Sequence, residues 1–169
     1  ETQPDAIALH FDGQTVSYGE LNRRGNRVAN ALLAAGLKPG ERIAYLGKNS
    51  DRTVELTVGA AKAGVVVIPV IWRLAPPEIA YILEDSSAQM LFVDGALAET
   101  AKLAGAQMQR IVQLDGAPID PAWTAYDAWR DAAPDTTPDV ALTPDDVVIQ
   151  IYTSGTTGKP KGAMLTHAN

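Results

Sequence analysis

The sequence predicts an α/β fold: a mainly parallel β-sheet with helices packed on its faces. Short apolar segments alternate along the chain with segments of helical spacing, which is the pattern of successive βαβ units. The run Val65–Val70 is continuously apolar and rich in β-branched residues, as expected for a strand buried on both faces. With 169 residues, of which 46% are hydrophobic and 20% charged, the chain is long enough to build one core.

A hairpin followed by a helix is predicted at the start of the chain. The apolar runs Ala6–Phe11 and Gln14–Val16 flank Asp12-Gly13, and both of these turn residues favour the positive φ angles of a tight hairpin. Ser17 stands three residues before Glu20, which is the spacing of a capping box. Apolar residues at helical spacing follow, so a helix is predicted to begin here.

The rest of the chain alternates between strands and helices, and then changes character. Further strands are predicted at Arg42–Leu46, Val65–Val70, Met90–Val93, Ile111–Leu114 and Val147–Tyr152. Helices are predicted at Arg52–Ala63, Pro76–Leu83, Ala96–Leu103 and Pro121–Ala132. Three prolines among Asp and Thr residues indicate a surface connection over Ala133–Asp146. We therefore expect an α/β portion over 1–132, a Pro-rich connection over 133–146, and a strand, a loop and a helix start over 147–169.

Composition and charge exclude several classes of function. The formal net charge is −6, which argues against nucleic acid or a membrane surface as partner, because both are anionic. The absence of cysteine excludes disulfides and thiolate chemistry, and we expect a cytoplasmic protein. The longest uncharged apolar stretch, Gly64–Trp72, is too short to span a bilayer. His10 and His167 have no Asp, Glu or Cys at ligand spacing, so no metal site is predicted.

The segment that carries chemistry is Tyr152–Gly162, directly after the last predicted strand. Its eleven residues include three glycines, three threonines, one serine and two lysines. Glycines let backbone N–H groups approach a ligand closely, and successive N–H groups form a concavity for anions. Hydroxyl groups donate further hydrogen bonds, and lysine supplies a positive charge suited to phosphate. The predicted ligand is therefore a polyphosphate.

This loop differs from the two commonest phosphate-binding motifs. A Walker A loop requires glycine, four residues, and then Gly-Lys-Ser/Thr, but the residues five positions after Gly155 and Gly158 are Pro160 and Ala163. No GxGxxG pattern occurs either. The loop therefore belongs to another class of nucleotide-binding protein, unless it is a flexible surface loop whose lysines are simply solvated.

The whole run Tyr152–Gly162 resembles the signature loop of the adenylate-forming superfamily, which contains acyl-CoA synthetases, peptide-synthetase adenylation domains and luciferases. Thr15–Leu21 resembles the early strand-to-helix segment of that superfamily, and Ala61–Val70 resembles its second core region. Arg73–Ser86 is similar to the fatty-acyl branch in particular, and Thr166–Asn169 is similar to the usual start of the following helix. The resemblance therefore covers nearly the entire chain.

The resemblance implies the N-terminal subdomain portion of the adenylate-forming fold, and an ATP-dependent acyl-CoA ligase as the parent protein. Its substrates would be ATP with Mg²⁺, a carboxylic acid (most simply a fatty acid), and CoA as co-substrate. The residues that would bind the nucleotide phosphates are Thr153, Ser154, Gly155, Thr156, Thr157, Gly158, Lys159, Lys161 and Gly162. The catalytic lysine of the family lies outside this chain, so we expect the chain alone to be inactive.

Two alternatives remain open from the sequence. The parent could be an adenylation domain that loads an amino or aryl acid onto a carrier protein. The chain could instead be a non-catalytic module for folding or partner binding. It lacks an initiator Met and ends at the predicted helix start Thr166–Asn169, so we expect a piece of a longer protein. Missing neighbours would leave apolar surface exposed, and self-association is therefore expected.

Overall fold

The computed structural model describes residues 3–105, 107–153 and 159–169. Its strands are β1 (Ile7–Phe11), β2 (Gln14–Ser17), β3 (Arg42–Leu46), β4 (Val66–Val70), β5 (Met90–Val93), β6 (Ile111–Gln113), β7 (Thr124–Ala125), β8 (Val147–Thr153) and β9 (Lys161–Thr166). Its helices are α1 (Tyr18–Ala34), α2 (Asp51–Ala63), α3 (Pro76–Ser86), α4 (Ala98–Ala104) and α5 (Tyr126–Asp131). Within these ranges, every helix is too short or too polar to cross a lipid bilayer.

Strands β3 to β9 form one sheet in the order β7-β6-β5-β3-β4-β8-β9, and β1 and β2 form a separate hairpin. All neighbours in the large sheet are parallel except β8 and β9, which are antiparallel. In the centre of the sheet, Ala44 of β3 lies opposite Ile68 of β4 and Leu91 of β5. The predicted α/β fold with a mainly parallel sheet is confirmed.

Helices cover both faces of this sheet. On one face, Phe92 of β5 packs edge-on against Tyr126 and Trp129 of α5, in a cluster shared with residues of α1 and α2. On the other face, its neighbour Leu91 packs in a second cluster with Ile79 of α3 and residues of α4. Successive strand residues point to opposite faces, so an unbroken apolar strand is buried on both sides.

The hairpin and the first helix begin as the sequence indicates, with one exception. Asp12 and Gly13 have φ angles of 48° and 75°, the left-handed conformation expected for this turn. The backbone N–H of Glu20 donates to Ser17 Oγ at 3.2 Å. The reciprocal half of the predicted capping box is absent, because the Glu20 carboxylate accepts hydrogen bonds from Arg23 and Arg24 instead.

The segment 133–146 contains no helix or strand and is held against α1 by side-chain amides. Asn26 Nδ2 donates to the carbonyl of Asp135 at 2.8 Å. Asn30 Nδ2 donates to the carbonyls of Pro134 and Thr136 at 2.9 and 2.8 Å. Because prolines remove backbone donors from this segment, these amides anchor it through its carbonyl groups.

The last strand was not predicted. Residues 167 and 168 form a turn at the end of the sequence, so the helix start predicted at Thr166–Asn169 stays a prediction. Lys161–Thr166 forms β9, which pairs along β8 from Lys161 opposite Thr153. The chain then turns, and the backbone N–H of Thr166 donates to Asn169 Oδ1 at 2.9 Å. Pairing with β8 satisfies the backbone groups of 161–166, and this partner cannot be inferred from the local sequence.

Candidate functional site

The carboxyl ends of the parallel strands meet at one edge of the sheet, where ligands of doubly wound folds bind. The winding direction reverses between β3 and β5, since β4 lies on one side of β3 and β5 on the other. At that point Asp94 accepts a hydrogen bond from the backbone N–H of Lys48 at 2.6 Å. A Cβ atom on Gly47 would lie 2.5 Å from the Asp94 carboxyl carbon. Asp94 therefore occupies the space in which doubly wound folds usually bind a ligand.

Two carboxylates at this edge accept hydrogen bonds from backbone N–H groups. Burial raises the pKa of Asp94, and the nearby charge of Asp115 acts in the same direction. Asp115 Oδ1 accepts from the backbone N–H of Gly95 at 2.6 Å. In the part of the chain that the structure describes, no group of three or more His, Cys, Asp or Glu side chains is placed to hold a metal ion.

The other candidate is the β8–β9 hairpin, where the structure brings together several predicted phosphate-binding residues. Thr153, the last residue of β8, pairs with Lys161, the first residue of β9, and both are exposed. Gly162 lies opposite Tyr152. Lys159 lies two residues before Lys161. The predicted residues Ser154, Gly155, Thr156, Thr157 and Gly158 lie outside the described residues.

Gly162 has a packing role that sequence reasoning missed. A Cβ atom at this position would clash with the Gln150 side chain, lying 2.9 Å from its Cδ and closer still to Nε2. Gln150 crosses this space to donate to the Tyr152 hydroxyl at 3.1 Å, and its Oε1 accepts from Arg42 Nε at 2.8 Å. A side chain at position 162 would therefore displace Gln150 from these hydrogen bonds, which favours glycine here independently of any ligand.

A carboxylate on α3 supports the same hairpin. The buried Tyr152 donates its hydroxyl hydrogen to Asp85 Oδ2 at 2.6 Å. Burial raises the pKa of Tyr152, and the hydrogen bond to Asp85 raises it further, so the phenol remains a donor. The Tyr81 hydroxyl donates to Asp85 Oδ1 at 3.3 Å. The spacing of Tyr81 and Asp85, four residues apart on a helix, is the one sequence signal that could have identified this pair.

Tyr81 also contacts the second arm of the hairpin. Its hydroxyl lies 3.5 Å from the Pro160 carbonyl oxygen, and Lys159 Nζ lies 5.1 Å from the centre of its ring. The tip of this arm is thus held by α3 through an aromatic ring and its hydroxyl.

Further positive charge lies at the same edge of the sheet, around Trp72 just beyond β4. Lys48 Nζ lies 5.0 Å and Arg73 Cζ 4.5 Å from the centre of the Trp72 ring. With the described residues Arg73 forms no ion pair, and its guanidinium stacks on the indole instead. The carboxyl ends of β4 and β8 are adjacent in the sheet, so these cations add to the positive charge of Lys159 and Lys161.

Comparison with known proteins finds one family over the whole chain. Residues 1–169 match the family described as AMP-binding enzyme. The chain belongs to the AMP-binding enzyme family. This AMP-binding chain spans about a third, 31%, of the length of the first curated relatives that it matches.

The curated relatives of this AMP-binding chain are named for different reactions. A fatty acid–acyl-carrier-protein ligase of Streptomyces coeruleorubidus is 42% identical over 98% of this chain and 31% of its own length. A feruloyl-CoA synthase of an Amycolatopsis species has the same identity and coverage. Surfactin synthase subunit 1 of Bacillus subtilis is 33% identical over 96% of this chain but 4% of its own length.

Solved structures share the fold of this AMP-binding chain. The crystal structure of the anthranilate CoA ligase AuaEII in complex with anthranoyl-AMP has a TM-score of 0.92 and 26% identity, covering 98% of this chain and 32% of that one. ATP-bound MatB from Rhodopseudomonas palustris has a TM-score of 0.81 and 29% identity, covering 97% and 32%. The whole described chain therefore corresponds to about a third of a larger adenylate-forming fold.

Proposed function

We propose that this chain is the N-terminal part of an ATP-dependent acyl-CoA ligase that activates a carboxylic acid, in the first instance a fatty acid. The observation that carries the proposal is the match of the entire chain to the AMP-binding family. The fatty acid–acyl-carrier-protein ligase at 42% identity supports the substrate class. The similarity of Arg73–Ser86 to the fatty-acyl branch points in the same direction.

In the proposed reaction, a carboxylate oxygen attacks the α-phosphorus of ATP, and pyrophosphate leaves with the electrons of the broken P–O bond. The CoA thiol then loses its proton, and its sulfur forms a bond to the acyl carbon of the acyl-adenylate while the bond from that carbon to the phosphate oxygen breaks and AMP leaves. Negative charge concentrates on the leaving phosphates, so fixed N–H donors and cations there lower the barrier. Magnesium supplies further neutralisation when it enters bound to ATP.

We assign the binding of the β- and γ-phosphates to one segment of this chain. Its members are Thr153, Ser154, Gly155, Thr156, Thr157, Gly158, Lys159, Lys161 and Gly162. The exposed positions of Thr153 and Lys161, at the loop end of the β8–β9 hairpin, support this assignment. A strand that ends in a glycine-containing segment presents backbone N–H groups beyond the edge of the sheet. These residues would orient the nucleotide, while the catalytic lysine of the family lies outside the chain.

A second candidate is an adenylation domain that loads an amino or aryl acid onto a carrier protein. The similarity to surfactin synthase subunit 1 favours this alternative. The equal identity to a feruloyl-CoA synthase keeps an aryl acid open as well. The two functions share the first half-reaction and differ in the acid and in the thiol that accepts it.

Acid-dependent exchange of labelled pyrophosphate into ATP tests the proposed function in the intact protein that contains this chain. We expect fatty acids to support faster exchange than aryl or amino acids, because exchange reports only formation of the acyl-adenylate. Exchange with amino acids alone would favour the adenylation domain. Absence of exchange with every acid would favour a non-catalytic module and would contradict the proposal.

A double variant in the loop, with a control variant elsewhere, tests whether this activity depends on the loop. Lys161→Ala combined with Thr157→Ala is expected to lower exchange by about 100-fold or more, since each change removes a donor to the leaving phosphates. Lys102→Ala provides the matched control, because Lys102 is exposed on α4 and pairs with Asp120 at 3.3 Å. We expect the control to retain normal exchange.

Self-association of the 169-residue chain is a second expected result. Ile151 and Leu165 share one face of the β8–β9 hairpin and are 38% and 41% exposed. Strand β9 is the last strand of the sheet, and unpaired strand edges with apolar side chains promote association. Light scattering after size exclusion should show a mass that rises with concentration.

A charge on the hairpin should reduce this association. We expect Leu165→Lys to shift the chain toward the monomer. Leu103→Lys should leave the measured mass unchanged, although Leu103 on α4 is 72% exposed. A constant monomer mass for the unsubstituted chain at all concentrations would contradict the prediction.

A further inference from the structure

Helix α3 contacts both arms of the β8–β9 hairpin through two side chains one turn apart. Asp85 accepts the hydroxyl hydrogen of Tyr152, which belongs to the β8 arm. Tyr81 lies against Lys159 and Pro160, which lead into β9. Residues four apart on a helix project from the same face. One face of α3 therefore connects the two ends of the loop that we assign to nucleotide phosphates.

On this face of α3, the Tyr81 hydroxyl lies near two hydrogen-bond acceptors. Asp85 Oδ2 is occupied by Tyr152 at 2.6 Å, while Asp85 Oδ1 lies 3.3 Å from the Tyr81 hydroxyl. The Pro160 carbonyl lies 3.5 Å from the same hydroxyl. A hydroxyl group has a single hydrogen to donate, so Tyr81 can direct it to the α3 carboxylate or to the loop carbonyl.

The aromatic ring of Tyr81 acts on the neighbouring lysine. Lys159 Nζ lies 5.1 Å from the ring centre, within the range in which a ring face attracts a cation. The attraction restricts the orientations of a long side chain that would otherwise sample many rotamers. A cation already held at the base of the loop loses less entropy when it meets a phosphate.

We propose that Tyr81 is a positioning residue that, braced by Asp85, holds the Lys159–Pro160 arm in the conformation that receives the nucleotide phosphates. The inference rests on the proposed function, and it adds α3, a helix outside the signature loop, to the parts of the chain that determine ATP affinity. Tyr81 acts through Lys159 and the Pro160 carbonyl, without contact to the reacting atoms.

The test is steady-state exchange by the intact protein, with MgATP and the acid varied in separate series. We expect Tyr81→Ala to raise the KM for MgATP by about tenfold, because it removes both the ring and the hydroxyl. Tyr81→Phe keeps the ring and should raise that KM by about threefold. In both variants the KM for the acid should stay within about twofold of the original value.

Two further measurements separate positioning from a general loss of structure. The thermal midpoints of the Tyr81 variants should stay within a few degrees of the parent, since Tyr81 is partly exposed. Tyr18→Phe is the matched control, because Tyr18 is 58% exposed and its hydroxyl bonds to none of the described residues. The control should leave both KM values unchanged.

The outcomes distinguish the two proposals. If the unsubstituted protein exchanges pyrophosphate but Tyr81→Ala leaves the KM for MgATP unchanged, the role of Tyr81 is overturned and the proposed function stands. Equal increases in both KM values, together with a lower thermal midpoint, would also overturn it by showing a merely structural residue. Absence of exchange in the unsubstituted protein overturns the proposed function and the inference together.

Discussion

Replacement of Glu55 by alanine is expected to destabilise the 169-residue chain by about 3 kcal/mol. The Glu55 side chain is fully buried, and its Oε1 accepts from Arg24 Nη1 at 2.7 Å. Its Oε2 accepts from Arg130 Nη1 at 2.9 Å and from the Tyr126 hydroxyl at 3.3 Å. One carboxylate of α2 thus joins α1 and α5, and its loss leaves two guanidinium groups that remain charged.

The size of this effect depends on the ion pairs that Arg24 and Arg130 keep when Glu55 is removed. Arg130 keeps ion pairs with Asp127 and Asp131, and Arg24 keeps its ion pair with Glu20. The remaining pairs place the expected cost at the lower end of the range for breaking a buried ion pair, about 3–5 kcal/mol. Since folded domains are stable by only about 5–15 kcal/mol, this loss is large.

Urea unfolding followed by circular dichroism measures the free energy of unfolding, and Glu20→Ala is the control. Glu20 pairs with Arg23 and Arg24, but its side chain is about a third exposed. Because exposed ion pairs contribute little, we expect the control to cost less than about 1 kcal/mol. Equal losses for Glu55→Ala and Glu20→Ala would show that the buried carboxylate has no special role.

Introduction of alanine at Gly59 is the second large expected effect, a loss of about 2–3 kcal/mol in the free energy of unfolding. A Cβ atom there would lie 2.8 Å from the Gly25 carbonyl oxygen, and the side chain of Val28 would be closer still. Both neighbours belong to α1, so α1 and α2 would have to separate. Alanine normally stabilises a helix relative to glycine by about 1 kcal/mol, and the clash must exceed that gain.

Gly25→Ala gives a matched comparison on the opposite helix. Its Cβ atom would lie 2.7 Å from Val58 Cγ1, but other neighbours would be 3.5 Å or farther away. A single methyl group can be displaced by a small rotation, whereas the backbone carbonyl that faces Gly59 cannot. We therefore expect Gly25→Ala to cost less than Gly59→Ala in urea unfolding, and the reverse order would contradict the assigned contact.

Elements with strong local patterns were predicted within a few residues. Strand β3 was predicted at Arg42–Leu46 and strand β5 at Met90–Val93, and the structure places both there. These segments are apolar on both faces because helices cover both faces of a parallel sheet. Strand β7, the two-residue strand Thr124–Ala125, was placed within a predicted helix. A two-residue strand is too short to show an alternation of apolar and polar residues in the sequence. It forms because it pairs with β6.

The candidate site was predictable only in part. The sequence predicts a phosphate-binding loop over 153–162 because the residue types suited to that chemistry are consecutive, and this assignment stays a prediction. The strand character of Lys161 and Gly162 was missed, because it depends on pairing with β8. Gly162 was assigned to a ligand alone, whereas the position of the Gln150 side chain also favours a glycine there. The support from Tyr81 and Asp85 was missed as well.

The sequence by itself determined the fold class, the order of most elements and the family, because each depends on periodicity or on motifs of neighbouring residues. Tertiary structure alone decided which distant side chains meet. Asp85 and Tyr152 are 67 residues apart, and Glu55 and Arg130 are 75 apart. Such pairs form only after helices have packed on the sheet in one register, and local propensities carry no information about that register.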